Sequence, residues 1–173
     1  MWILLHNNDD QGKQAATRAR NAGLRFIDVV LENGPKAAYK DILIAREQAG
    51  ADFLGILYSG HGSKSGKKFM STNNKELNTT NFAKLLGLAN PLRIVFFSCY
   101  GGLIVENTLT EFQTVDQIQV EVDNVNYSAN LKGCSVEGPI DAIIGASVQP
   151  DMRRLAEDPN FRPYKATGYT VVL

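Results

Sequence analysis

Cysteine is scarce in this chain of 173 residues: Cys99 and Cys134 are the only two. That is too few for the disulfide framework of a small secreted domain, so a reducing, cytoplasmic setting is the expectation. Charge of one sign is missing too. Lys and Arg total 18, Asp and Glu total 18, and the formal net charge is zero. The balance removes the electrostatic footprint of a dedicated nucleic-acid binder or of a protein drawn to anionic membranes. Long apolar runs are absent, since Trp2–Leu5 and Ile94–Phe97 are far too short to span a bilayer. Met1-Trp2-Ile3 carries no basic region and leads into no long hydrophobic one, so no secretory leader is read there. No internal repeat or low-complexity tract is found. What remains is ordinary: 44% hydrophobic and 21% charged residues, the composition of one globular domain over residues 1–173.

Short apolar runs alternate with amphipathic stretches. Trp2–Leu5, Leu24–Leu31, Phe53–Tyr58, Arg93–Phe97, Asp141–Ala146 and Tyr169–Leu173 read as six strands. A helix is predicted over Asp10–Asn21, closed by Gly23. A second starts near Pro35, carries Ala38, Ile42, Ala45 and Ala49 on one face, and stops at Gly50. A third is capped by Thr79 or Thr80, with Phe82, Leu85, Leu86 and Ala89 as its apolar stripe. Strands apolar on both faces, alternating with helices, predict an α/β fold of three layers, a mostly parallel sheet covered on each side. The exception is an acidic insertion at about 103–133. There Ile118, Val120 and Val122 alternate like a half-exposed strand, and Glu106, Glu111, Asp116, Glu121 and Asp123 lack nearby basic partners. It reads as a solvated hairpin or loop, with a substrate-contacting flap as the alternative.

In open α/β sheets ligands bind beyond the carboxyl ends of the strands. The groups predicted there are His6–Asp10, His61-Gly62, Cys99–Gly102 and Ser147–Asp151. An imidazole and a thiol on neighbouring strand ends are spaced for proton transfer, and the flanking glycines leave backbone N–H groups open to a developing oxyanion. Bland readings stand beside these. The bland reading of Cys99 is a buried small hydrophobe, and that of His61 a turn histidine bonding the backbone. His6 is structural or pocket-lining. Asp9 and Asp10 open a helix, where carboxylates serve as caps and dipole partners. Lys13, Arg18 and Arg20 form a solvated face, and Cys134 sits in a loop-like context as an incidental residue. His6, His61, Cys99 and Cys134 suffice for zinc by count, but without the close paired spacing of structural sites.

ILYSGHGS (56–63), followed about forty residues later by RIVFFSCYGG (93–102), resembles the signature of caspase-like cysteine peptidases. That superfamily includes caspases, metacaspases, legumain- and clostripain-type enzymes and bacterial CHAT domains. In it one strand ends in His-Gly and the next in a small residue and the catalytic Cys. The resemblance extends from Trp2 to about Asp151 and implies the caspase-like three-layer sandwich. It makes Cys99 the nucleophile, His61 the general acid/base, and the N–H groups of Gly62 and Cys99 the oxyanion hole, with no metal or organic cofactor.

By the same resemblance, Asn8, Asp9 and Asp10 after strand one, with Ser98 beside the Cys, line the specificity pocket. Ser147 and Val148, after strand five, pair with the substrate backbone. An acidic pocket of that kind favours Lys or Arg at the cleaved bond. A self-cut then falls in 63–78 or 103–133, at Lys64, Lys67, Lys68 or Lys132. Partners implied are a protein or peptide substrate and a homodimer paired through the edge strand Tyr169–Leu173, or a larger regulatory assembly. Ser98 stands where many relatives carry an acid, and the chain is short for the family. A binding or scaffold domain with weak turnover is therefore the second expectation, and a doubly wound ligand-binding domain the third.

Overall fold

The computed structural model describes residues 1–62, 78–103, 109, 118–143, 145–165 and 168–173. Lys64, Lys67 and Lys68 of the first self-cut segment, and Glu106, Glu111 and Asp116 of the acidic insertion, lie outside these residues.

The chain runs β1 (Trp2–Asn7), α1 (Asp10–Asn21), β2 (Phe26–Leu31), a 3₁₀ turn (Lys36–Ala38), α2 (Tyr39–Ala49), β3 (Gly55–Ser59), α3 (Thr79–Leu88), β4 (Arg93–Phe97). It continues with β5 (Ile118–Val122), β6 (Val125–Ala129), β7 (Ser135–Pro139), α4 (Gly145–Glu157) and β8 (Gly168–Val172). Six strands form one sheet in the order β2-β1-β3-β4-β7-β8. All its pairings are parallel except β7 with β8. Every residue of β1, β3 and β4 is buried, as the near-continuous apolar runs require when both faces of a parallel sheet are covered.

Strand alternation sorts those residues into two cores. Ile3, Leu5, Ile56, Tyr58, Ile94 and Phe96 pack with α2 and α3. Trp2, Leu4, Leu57, Val95 and Phe97 pack with Ala16 and Ala19 of α1 and with Val148, Met152 and Leu155 of α4. Helices thus cover both faces. Asp9 caps α1 by accepting from the Gly12 N–H at 2.9 Å, and Arg18 and Arg20 sit in its last turn, an arrangement that complements the helix dipole. Among the described residues no helix is long and apolar enough to cross a membrane.

The largest correction concerns the fifth strand of the sheet. It is Ser135–Pro139, not 141–146, and Gly145–Glu157 is a helix. Glu137 and Pro139 make SVEGP a poor strand by propensity. Yet Glu137, fully buried, takes the Arg93 guanidinium at 2.7 Å from the neighbouring strand, along with Arg162 and the Tyr164 N–H. Pairing across the fold overrides the local sequence. Pro150, inside the second turn of α4, gives that stretch the look of a helix breaker.

A smaller correction moves the cap of α3 from Thr79 or Thr80 to Asn78, whose side chain accepts from the Asn81 N–H at 3.1 Å. Within the insertion, β5 and β6 form a two-residue hairpin whose turn, Asp123 and Asn124, has φ of 51° and 65°, the twist that suits antiparallel strands. Its inner face, Val120 and Ala129, joins the α3 side of the core.

β8, predicted as a terminal edge strand, is the edge, with Val172 64% exposed.

Candidate active site

The strand order reverses between β1 and β3: the chain leaves β1 for β2 on one side and returns to β3 on the other. Such a switch point opens a crevice at the carboxyl ends of the strands. Asn7 and Asp9 stand on one lip, His61 and Gly62 on the next, and Cys99 follows β4.

Each functional side chain is held by its neighbours. The buried Tyr58 hydroxyl donates to the His61 carbonyl at 2.9 Å, and the Asn7 side chain accepts from the His61 N–H at 3.4 Å. The His61 ring meets Asp9 through Nε2 and Oδ2 at 2.9 Å. Since the carboxylate accepts, Nε2 carries the proton and Nδ1 keeps its lone pair in the neutral ring. Asp9 therefore serves two donors, one oxygen for the Gly12 N–H and one for His61. Burial disfavours its charge, but the Gly12 N–H and the His61 ring outweigh that and hold the carboxyl below its ordinary value.

Cys99 lies in a tight turn between β4 and a helical turn at 101–103. Tyr100, at φ 57°, makes that turn and donates its N–H to the Asp141 carbonyl at 3.0 Å. A β-carbon on Gly62 would fall 1.9 Å from the Cys99 carbonyl oxygen, so only glycine permits the His61 loop to close on the Cys99 turn. Among the described residues, neither the Gly62 N–H nor the Cys99 N–H has an acceptor. The Cys99 Sγ is half-buried and contacts Ile143, donating to its carbonyl and receiving its N–H, each at 3.5 Å. No hydrogen bond joins Sγ to the His61 ring among the described residues.

A cavity of about 230 Å³ opens beside Cys99. Of the residues expected to bind substrate, Ser98 and Val148 are in its wall. Asn8 instead donates to Glu32 at 3.2 Å, beyond β2. Asp9 is committed to His61, Asp10 is exposed on α1, and Ser147 lies on the exposed side of α4. Sequence reasoning missed Gln11, Gln14 and Arg18 of α1, which line the cavity. Their spacing of three and four residues places them on one helical face, and that was the available signal. Lys13 and Arg20 are solvated as expected; Arg18 is half-buried.

His6 is buried on the β2 side. It donates from Nδ1 to the Asn7 carbonyl at 2.9 Å, and its Nε2 stands 3.3 Å from Asp28 Oδ1, out of hydrogen-bond alignment. Cys134 precedes β7 at the opposite end of the sheet, roughly 20 Å from Cys99 by strand rise, so the two cannot be bridged in this fold. The same separation excludes a zinc site from both cysteines and both histidines. Among the described residues no three His, Cys, Asp or Glu side chains gather as a metal group. A larger groove of about 490 Å³ along β2 and α2 holds Asp28, Glu32 and Asp41 but no nucleophile. Set against protein-family models, curated proteins and solved structures, the chain matches none, and the reading of this site rests on its own residues.

Proposed function

We propose that the chain is a caspase-like cysteine endopeptidase whose reacting groups are Cys99 and His61. One observation carries the reading: the Gly62 Cα stands against the Cys99 carbonyl, which brings the His-Gly and Cys turns together and leaves both turn amides open. In the proposed reaction the Cys99 thiol proton passes to His61 Nδ1 and the sulfur adds to the peptide carbonyl carbon. The Gly62 and Cys99 N–H groups receive the oxyanion. His61 returns the proton to the nitrogen as the C–N bond breaks, and the amine leaves. Water, deprotonated by His61, then opens the thioester and restores the thiol. Asp9 fixes the ring so that Nδ1 faces the chemistry, and it stabilises the imidazolium.

A second reading, a binding domain without turnover, is favoured by the contact of Cys99 Sγ with the Ile143 carbonyl rather than with His61. Labelling with acyloxymethyl ketone peptides, read by intact mass, separates the two. Stoichiometric modification of Cys99 that is lost in His61→Ala supports the peptidase. A folded protein that none of the probes labels moves the assignment to the binding domain.

A further inference from the structure

At the edge of the sheet opposite β8, β2 pairs with β1 alone. The register sets Trp2 against Phe26 and Asn7 against Leu31, and the Trp2 N–H donates to the Arg25 carbonyl at 2.9 Å. Inward and outward backbone groups alternate along a parallel ladder. Arg25, Ile27 and Val29 therefore bond β1, while Asp28 and Val30 turn their N–H and C=O groups away from the sheet. Among the described residues those outward groups have no partner. Open edges are commonly blunted by Lys or Pro, and β2, FIDVVL, has neither.

The groove of about 490 Å³ runs along this edge. Asp41, Ile44, Ala45 and Gln48 of α2 form its wall at helical spacing, and Ile44 is left 45% exposed. Ile27 and Val29 face the same way, because their neighbours pack on the α2 side of the sheet. Asp28 faces the other way, since it pairs with Leu4 of the α1 side. No Lys or Arg lines the groove. Among the described residues none pairs with Asp28, Glu32 or Asp41.

We propose that β2 is a docking edge for an extended segment of a partner protein in which apolar residues alternate with Lys or Arg. The segment adds to the sheet as its next strand and bonds the outward groups of Asp28 and Val30. Its apolar side chains turn onto Ile27, Val29 and Ile44, and its basic ones turn to the face of Asp28. Glu32 and Asp41 give the groove a negative field that favours such a segment. A second copy of this chain is the occupant that charge disfavours. Two β2 edges paired about a twofold axis would set the same carboxylates against each other, and like charges across a ladder destabilise it. The inference does not rest on the peptidase reading, because the added strand would stand four strand spacings from β4, roughly 19 Å.

The test uses the full chain carrying Cys99→Ala, so that binding is read without cleavage, and labelled with ¹⁵N. It is titrated with an alternating Val-Lys peptide of about eight residues, its Val-Glu counterpart, and a block peptide with the Val and Lys content of the first. The alternating basic peptide is expected to give saturable shifts of the Asp28 and Val30 N–H signals, with Kd below about 1 mM, and to slow their hydrogen exchange. Asp41→Lys, on the exposed side of α2, should weaken it about threefold or more, and Asp28→Lys gives a second reversal on the strand itself. Several results overturn the proposal: no saturable shift, shifts without protection at Asp28 and Val30, equal binding of the acidic or the block peptide, or unchanged affinity in folded Asp41→Lys. Protection of Asp28 and Val30 that grows with protein concentration in the absence of peptide assigns the edge to a second copy instead and overturns it too.

Discussion

The two cysteines stand at opposite ends of one sheet, and the ends differ in kind. Around Cys134 the amino-terminal end is closed. The thiol is fully buried and burial pushes it up to about 12. The neighbouring charges are matched, Glu137 by Arg93 and Arg162. Arg93 also reaches the carbonyls of Pro159 and Phe161 and ties down the segment that follows α4. Around Cys99 the carboxyl end is open. Two turn amides and the Ser98 hydroxyl lack acceptors or partners among the described residues, and the Arg18 guanidinium there bonds the Gln14 side chain but no carboxylate. Folding satisfies polar groups where nothing else will. Groups left unspent together mark the end of the sheet at which something else is expected to bind.

The contrast is broken or sharpened most strongly by alkylation. At neutral pH a thiol near 12 is ionised in only about one molecule in 10⁵. Iodoacetamide is therefore expected to modify Cys99 alone in the native chain and Cys134 only after unfolding, as mapped by peptide mass. Equal modification of both would erase the distinction between the two ends.

Next in size is the closed end's ion pair. Glu137→Ala strands Arg93 in the interior and is expected to cost about 3–5 kcal/mol in denaturant unfolding. A loss within the range of a surface substitution would show that Glu137 is not the organising residue of that end.

At the open end the cost falls on the proposed peptidase activity. Gly62→Ala, whose β-carbon meets the Cys99 carbonyl at 1.9 Å, should lower kcat on peptide substrates by about 10²–10³ by moving an oxyanion donor. Full activity in that variant would remove Gly62 from the oxyanion hole.

The smallest effect is acid stability at Asp9. The folded carboxyl ionises below its ordinary value of 3.8. The stability it contributes is thus complete above that value and is lost as pH falls through the lower folded value. Asp9→Asn keeps a cap and removes the titration. Its denaturation midpoint should fall less than the unaltered chain's between pH of about 5 and about 2, and parallel losses would detach Asp9 from His61.

How much of this was legible in the sequence varies by element. The runs 2–5 and 93–97, and the helix over 10–21, could be read because burial on both faces of a parallel strand, or on one face of a helix, leaves a local pattern. The strand-end positions of His61 and Cys99 came with them. SVEGP was illegible because its partners Arg93, Arg162 and the Tyr164 N–H lie 25 or more residues away. At the site, Asp9 had two readings, a pocket acid or a cap. The structure makes it a cap that also holds a histidine 52 residues distant. Arg18 looked like any solvated cation of an amphipathic helix until Gly145, 127 residues on, gave its guanidinium a bare surface to lie across.

The sequence by itself determined the α/β layering and that His61 and Cys99 lie just past β3 and β4, because periodicity and turn residues are local properties of the chain. Only the tertiary structure decided that strand order reverses beside β1, that Asp9 turns to His61, and that a cation rather than an acid lines the cavity at Cys99. Those outcomes depend on which distant side chains complete one another's hydrogen bonds and charges, and no short window of sequence contains both partners.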